Sequence, residues 1–208
     1  MSNSSKRWLQ RHVSDPFVRR AREDGYRSRA AYKLLEIDAR DRLLRPGAVV
    51  VDLGAAPGGW SQVAAQKVGP GGRVIALDLL DMTAPPGVTF VQGDFLDREK
   101  VLELVRTHAP GGIDVVLSDM MPNVSGIASA DQARAAELVH AAIDFCADVL
   151  KPQGAFLVKV FQGGEFAAIL ARLRRTFAGV QTRKPAASRH ESRETYLLAR
   201  GLKTLPAA

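Results

Sequence analysis

Cysteine is almost missing from this chain: Cys146 stands alone among 208 residues. That excludes an internal disulfide, and its place in the apolar stripe of a helical pattern reads as core. The four histidines, His12, His108, His140 and His190, are scattered without metal-site spacing, and none falls in a Ser/His/Asp arrangement. Metal and triad chemistry are therefore not expected. No stretch approaches 18 uncharged apolar residues, and the opening MSNSSKRWLQR holds no apolar run of the kind a secretory leader needs. The expectation is a cytoplasmic protein without a membrane span. Repeats, low-complexity segments and Pro/Gly/Ser linkers are missing too, so a single domain over 1–208 is expected, with a basic arm over about residues 1–14.

Two nucleotide signatures are also lacking. No GxGxxG opens a βαβ unit and no GK[ST] follows a glycine loop, which argues against a dinucleotide dehydrogenase and a P-loop enzyme. What is there instead is VVVDLGAAPGGWSQ, residues 49–62. Three consecutive valines suit a strand covered on both faces. The run stops at Asp52 and gives way to a turn of Gly54, Pro57, Gly58 and Gly59, where backbone without Cβ lets a ligand approach, and Trp60 opens a helix whose free N–H groups face it. Twenty positions past Gly58, the strand RVIAL ends in Asp78, placed to accept hydrogen bonds from ribose hydroxyls. VTFVQ, residues 88–92, leads into Gly93-Asp94-Phe95, a carboxylate and a flat ring for an adenine. A glycine loop, a ribose acid and an adenine-edge acid in this order look like a site for S-adenosylmethionine.

At 46% hydrophobic residues the composition is ordinary for a soluble α/β domain of this length. The net charge of +7 is unevenly spread: residues 1–45 carry +6, residues 46–171 carry −6 and residues 172–208 carry +7. Basic ends folded onto one face of an acidic middle would make a surface suited to a polyanion, since phosphate neutralisation dominates nucleic-acid affinity. Arginine, whose planar fork suits phosphate and base stacking, predominates at the N-terminal end.

Along the chain, Asp15-Pro16 opens a helix through Glu23, and Gly25 breaks it. Ser28 caps a second helix over 29–44, with Ala31, Leu34 and Leu35 on its apolar stripe and Lys33, by default, a solvated lysine off it. Beyond the first three strands come a helix over 98–107 and the strand 113–118, which delivers Asp119 at its carboxyl end. A covering helix over 129–150 follows, with Arg134 and Glu137 off its apolar stripe. In the strand 155–161, AFLVKVF, Lys159 interrupts an otherwise apolar run. A charge there is costly unless paired, and desolvated amines suit catalysis. A helix over 165–177, a basic loop over 182–193 and a last strand over 194–199, starting with Glu194, complete the pattern.

SRAAYKL, VDLGAAPGGWSQ, LDLLDM, QGDF, LSDMMPN, VKVFQG and SRHESRETYLLA, in this order over nearly the full length, closely resemble the FtsJ-like ribosomal RNA ribose 2′-O-methyltransferases of bacteria. The resemblance implies a Rossmann-like α/β fold, a seven-stranded, mostly parallel sheet with an antiparallel last strand and helices on both faces. It implies a catalytic tetrad of Lys33, Asp119, Lys159 and Glu194, and S-adenosyl-L-methionine contacts at Gly58, Trp60, Asp78, Asp94 and Asp119. The implied partner is ribosomal RNA, within the large subunit or its precursor, met by a monomer. One departure is visible: the family's Asp-Met-Ala-Pro-Asn loop has Met121 at the alanine position, on the pocket lip.

The chemistry assigns the parts. A ribose hydroxyl is a weak nucleophile and a sulfonium methyl is already activated, so the protein must align an in-line displacement and remove a proton. Lys159 is the expected base, Lys33 and Glu194 position the substrate, and Asp119 steers the Lys159 amine. Three other readings stand beside this one: a methyltransferase of small molecules, which has no use for basic ends; a non-catalytic RNA-binding assembly factor, which leaves an intact tetrad unexplained; and transfer RNA as the acceptor.

Overall fold

The computed structural model describes residues 15–122, 125–189 and 192–203; the basic arm expected over residues 1–14 lies outside them, as does Asn123 of the family loop. The elements in chain order are α1 (Pro16–Glu23), α2 (Ala30–Asp41), β1 (Val49–Leu53), α3 (Gly59–Val68), β2 (Arg73–Asp78), β3 (Val88–Gln92), α4 (Arg98–His108), β4 (Ile113–Ser118), α5 (Ala128–Val149), β5 (Leu150–Phe161), α6 (Phe166–Thr176), β6 (Phe177–Arg183) and β7 (Glu194–Leu202).

One seven-stranded sheet runs β3-β2-β1-β4-β5-β7-β6. β1 to β5 are parallel, β7 is antiparallel to β5, and β6 is antiparallel to β7. This is the Rossmann-like order with its antiparallel β7 that the resemblance implies. The sheet is covered on both faces, which is why its central strands read as unbroken apolar runs. Val50, Val115, Leu117, Ala155, Leu157, Tyr196 and Leu198 pack with α2 and α3 on one face. On the other, Val51, Leu53, Val116, Phe156, Val158 and Val160 pack with α4, α5 and α6.

Because successive strand residues point to opposite faces, parity fixes where the chemistry goes. Asp52 shares parity with Val50, Asp119 with Val115 and Leu117, Lys159 with Ala155 and Leu157, and Glu194 with Tyr196 and Leu198. All four therefore belong to the face that α2 covers, at the strand ends where the parallel strands finish.

Several local expectations hold. Asp15 caps α1, its carboxylate accepting from the Phe17 N–H at 3.0 Å. Others do not. Ser28 makes no side-chain cap on α2, whose N-cap position is Arg29. α2 also stops at Asp41 instead of running to Leu44, because the Asp38 carboxylate turns back to accept from the Leu44 N–H at 2.7 Å and Arg42 takes a left-handed backbone, φ 50°. The strand expected over 155–161 begins five residues earlier, at Leu150, with a register shift against β4 between Ile113 and Val115. β6 has no counterpart in the sequence pattern, where its residues read as the end of a helix and the start of a basic loop. Only Phe177 of this strand is fully buried, so an edge strand with one covered residue offers no alternation to detect.

Phe156 is fully buried in the middle of β5 and stacks on Phe177 with ring centroids 6.3 Å apart, joining the sheet centre to its edge. Phe156→Ala should lower unfolding free energy by about 3–5 kcal/mol in urea titrations. A loss below about 1 kcal/mol would show that the edge hairpin repacks freely.

Candidate functional site

Lys33 and Lys159 are each only 8% exposed, so both ammonium groups need partners at short range. Lys159 sits opposite Tyr196 in the β5–β7 register, and Phe161 sits opposite Glu194. The antiparallel β7 thus brings Glu194 and Tyr196 beside Lys159. The Lys159 Nζ lies 3.1 Å from Asp119 Oδ1 and donates to the Asp119 carbonyl at 2.6 Å. The Tyr196 hydroxyl donates to the same Oδ1 at 3.0 Å. Lys33, far from being solvated, reaches in from α2 to Glu194 Oε1 at 2.6 Å, its ammonium 5.6 Å from the centre of the Tyr196 ring. Lys33 falls on the buried side of α2 with Ile37, one turn on.

The structure therefore gathers all four expected catalytic residues and adds a fifth, Tyr196, at their centre. Sequence reasoning missed Tyr196 because an aromatic in an apolar strand reads as core. The available signal was its i, i+2 relation to Glu194, which puts both on one face. Burial, with the Asp119 and Glu194 charges, pushes the Tyr196 phenol far above its ordinary range, so it donates and does not ionise. Burial by itself would raise Glu194, but the Lys33 charge and hydrogen bond, together with a Ser188 hydrogen bond and the Lys159 charge, outweigh it and hold the carboxyl below its ordinary range.

Asp119 belongs to two sites at once. Besides holding Lys159, it lines a cavity of about 520 Å3 together with Gly54, Asp78, Asp94, Phe95, Met121 and others, a volume typical of cofactor sites. The expected ribose acid, adenine acid and strand-end acid thus share one cavity, at the carboxyl ends of β1, β2 and β4 and beyond β3. Asp78 also holds the loops that form the wall: its oxygens accept from the Ala56 N–H at 2.9 Å and the Leu80 N–H at 2.8 Å. Asp94 accepts from the Leu96 N–H at 2.9 Å, leaving its second oxygen free of protein partners among the described residues. The Phe95 ring packs edge-on to Phe145. Exposed Leu79, Leu80, Leu96 and Met121 make an apolar rim, and Met121 is at the lip where the sequence put it. Arg134 and Glu137 of α5, which the helix pattern leaves off the apolar stripe, are also wall residues; nothing in their spacing announces it.

The other two expected cofactor residues are not on this wall. Gly58 takes φ 99° as the N-cap of α3, with the Arg27 guanidinium against its outer side. The Trp60 side chain is buried behind the site, its indole N–H donating to the Ala30 carbonyl at 2.8 Å and its ring 5.7 Å from that of Tyr196. Either residue can meet a ligand only through backbone. Gly54 is required twice: φ is 73°, and a Cβ would lie 2.8 Å from the Met120 Cα.

Asp52, read only as the end of a strand, is wholly buried, with one oxygen accepting from the Ser61 hydroxyl at 2.6 Å. Burial, opposed by that hydrogen bond and reinforced by Asp119 and Asp78, pushes its carboxyl up to about 7. The basic ends of the chain do meet beside the crevice. Arg29 pairs with Asp15 and donates to the Ala187 carbonyl, and Arg189 lies 3.5 Å from Asp15. Arg172 is not available in the same way, being paired with Asp144.

The donor set suits S-adenosylmethionine, with carboxylates for hydroxyls and a cation and an apolar rim for a purine. The FtsJ-like methyltransferase family matches residues 26–202. A relative from Methylobacillus flagellatus, named ribosomal RNA large subunit methyltransferase E, is 56% identical over 200 residues, 96% of each chain. One of the same name from Chromohalobacter salexigens is 58% identical, over 96% of this chain and 95% of its own. Among solved structures, a Plasmodium falciparum chain named for ribosomal RNA methylation superposes with TM-score 0.76 at 29% identity, over 85% of this chain and 98% of that one. Fibrillarin from Aeropyrum pernix, holding S-adenosyl-L-methionine, shares the fold at TM-score 0.56 and 16% identity, over 82% of this chain and 73% of its own.

With Lys33 replaced by Met, burial is the largest influence left on Glu194, and its titration midpoint should move from below the ordinary glutamate range to above it. Carboxyl-carbon NMR reads this directly. The sign of the pH dependence should follow: the parent's stabilisation from ionised Glu194 is lost as pH falls through its lowered midpoint, whereas the variant should lose stability as pH rises through a raised one. An unmoved midpoint would mean that the Ser188 hydrogen bond and the Lys159 charge suffice to hold the carboxylate.

Proposed function

The chain belongs to the FtsJ-like methyltransferase family, and from that premise we propose that it methylates large-subunit (23S) ribosomal RNA at a ribose 2′-hydroxyl, with uridine as the expected nucleoside. The observation that carries the reading is the buried Lys33–Glu194, Tyr196, Asp119–Lys159 network opening on the 520 Å3 cavity through the shared Asp119.

S-adenosylmethionine, when bound, supplies a methyl group activated by its sulfonium charge. The residues to hold it are Asp78 for ribose hydroxyls, Asp94 for the adenine edge, and the Gly58 and Trp60 backbone at the start of α3. Asp119, on the same cavity wall, would stand beside the methyl group. On the substrate side, Lys33 and Glu194 orient the ribose. For the hydroxyl oxygen to bond to the methyl carbon as the carbon–sulfur bond breaks, the hydroxyl proton would pass to the Nζ of Lys159, which must first have released its own ammonium proton. Asp119, holding that Nζ through both its carboxylate and its carbonyl, fixes the direction of the lone pair. The ammonium that proton transfer would leave on Lys159 would be stabilised by the Asp119 carboxylate.

The competing readings fare less well. A small-molecule enzyme leaves the joined basic ends without a purpose, and a non-catalytic factor leaves two buried lysines paired at real desolvation cost for nothing. Relatives above 50% identity named for the large ribosomal subunit favour ribosomal over transfer RNA.

Lys159→Arg is the sharpest test, since a guanidinium keeps the charge and cannot give up its proton in the working pH range. Calorimetry should find near-parental affinity for S-adenosylmethionine, while single-turnover methyl transfer to ribosomal RNA should fall by a factor of about 10² to 10⁴. Near-parental turnover would remove Lys159 from proton transfer.

A further inference from the structure

Behind the catalytic crevice, at the opposite end of the sheet, lies a cleft of about 630 Å3. It is built where β1, β4 and β5 begin and where β7, running the other way, ends. Arg42 at the C-terminus of α2, Arg45 in the following turn and Arg200 on β7 converge on it from separate parts of the chain, with Lys151, Gln153 and Asp114 completing the lining. The one carboxylate inside is already satisfied: Asp114 pairs with Lys151 at 2.8 Å and accepts from the Val49 N–H at 2.8 Å. None of the three arginines has a carboxylate partner among the described residues. The cleft thus presents two guanidinium groups with no carboxylate beside them, Arg42 and Arg45, and a third, Arg200, whose nearest carboxylate, Asp41, is already paired with Arg183.

Two details make this more than a scatter of surface charge. Arg42 is the one non-glycine residue with positive φ among the described residues, at a helix C-terminus where glycine or asparagine is the usual occupant. A cation near the end of α2 complements the helix dipole, which accounts for Arg42. It does not account for Arg45, or for Arg200, whose guanidinium is anchored by donating to the Asp41 carbonyl at 2.6 Å.

We propose that this cleft is a second RNA-docking site, taking phosphodiesters of a segment remote from the methylated ribose. The proposal rests on the RNA methyltransferase reading above. It favours an extended polyanion over a free phosphate for two reasons. The nearest helix presents its C-terminus, the wrong end for holding a single phosphate, and the space is much larger than one such group. From Lys151 to Lys159 along β5 the two sites are about 25 Å apart at the rise of a strand. An RNA must therefore be large or folded to fill both.

The test uses Arg42→Gln combined with Arg45→Gln, two exposed side chains outside the crevice, leaving Arg200 and its anchoring bond intact. Binding to transcribed large-subunit ribosomal RNA is measured across salt concentrations. The log–log slope should be shallower than the parent's by about 0.7 to 0.9 for each phosphate no longer neutralised, hence by about 1 to 2 for the pair. Affinity for S-adenosylmethionine and the single-turnover rate at saturating RNA should be unchanged. On a short hairpin that the parent methylates, parent and variant should have the same slope. Parallel slopes on the long RNA would overturn the proposal, and so would an equal loss on the hairpin. Failure of the parent to methylate any RNA would instead strike at the function proposed above, with the salt slopes still judging the cleft.

Discussion

Two lysines at 8% exposure are tolerable in this fold only because a carboxylate stands within about 3 Å of each. A buried ammonium without its partner is strongly destabilising, whereas a paired one roughly breaks even against its desolvation. Lys33–Glu194 joins α2 to the antiparallel β7, and Lys159–Asp119 joins β5 to the end of β4. Lys159–Asp119 requires β4 and β5 side by side, and Lys33–Glu194 requires α2 docked over β7. Tyr196, between them, donates to Asp119 and lays its ring beneath the Lys33 ammonium, so the two pairs share one environment.

That dependence extends to the cofactor loop. The segment between α1 and α2 is tied to it by several bonds: the Arg27 N–H donates to Gln62 Oε1 at 3.1 Å, Gln62 Nε2 donates to the Gly25 carbonyl at 2.8 Å, and the Arg27 side chain reaches the Pro57 and Thr83 carbonyls. With the Trp60 indole on Ala30, these fix α2 against the helix that begins at the glycine turn. The helix carrying Lys33 and the loop facing the cavity are thus positioned by the same bonds, which keeps the acceptor side and the donor side of a transfer reaction in register.

Charge is unevenly arranged in space. At the crevice, the acids Asp52, Asp78, Asp94 and Asp119 cluster where a positively charged donor is expected, and Asp52, chiefly because it is buried and secondarily because Asp119 and Asp78 are near, holds its proton to about pH 7. Several arginines are paired with carboxylates, and three without such a partner, Arg42, Arg45 and Arg200, converge on the rear cleft. The uneven charge along the chain has a spatial counterpart, with carboxylates grouped at the carboxyl ends of central strands and three arginines at the opposite end of the sheet.

How much of this was legible follows from which interactions are local. The apolar runs at Val49–Leu53, Arg73–Asp78 and Ile113–Ser118 were readable because strands covered on both faces need them, and Lys159 stood out because it broke such a run. The motif order carried the family and with it the tetrad. Lys33 taken alone gave the wrong answer, since helix periodicity cannot say that a strand from the far end of the chain will present Glu194 to it. Tyr196 and the arginines of the rear cleft were silent for the same reason: their roles depend on β7 running antiparallel, which brings residues 194–200 alongside β5 and folds Arg200 toward Arg42. β6, with one buried residue, left no periodic trace. The sequence by itself determined most of the elements, the fold family and the chemistry available, because those are written in local pattern and residue type. The tertiary structure alone decided which charges are buried and paired and which cavities they line, because strand direction and parity set those, and neither is encoded within any one segment.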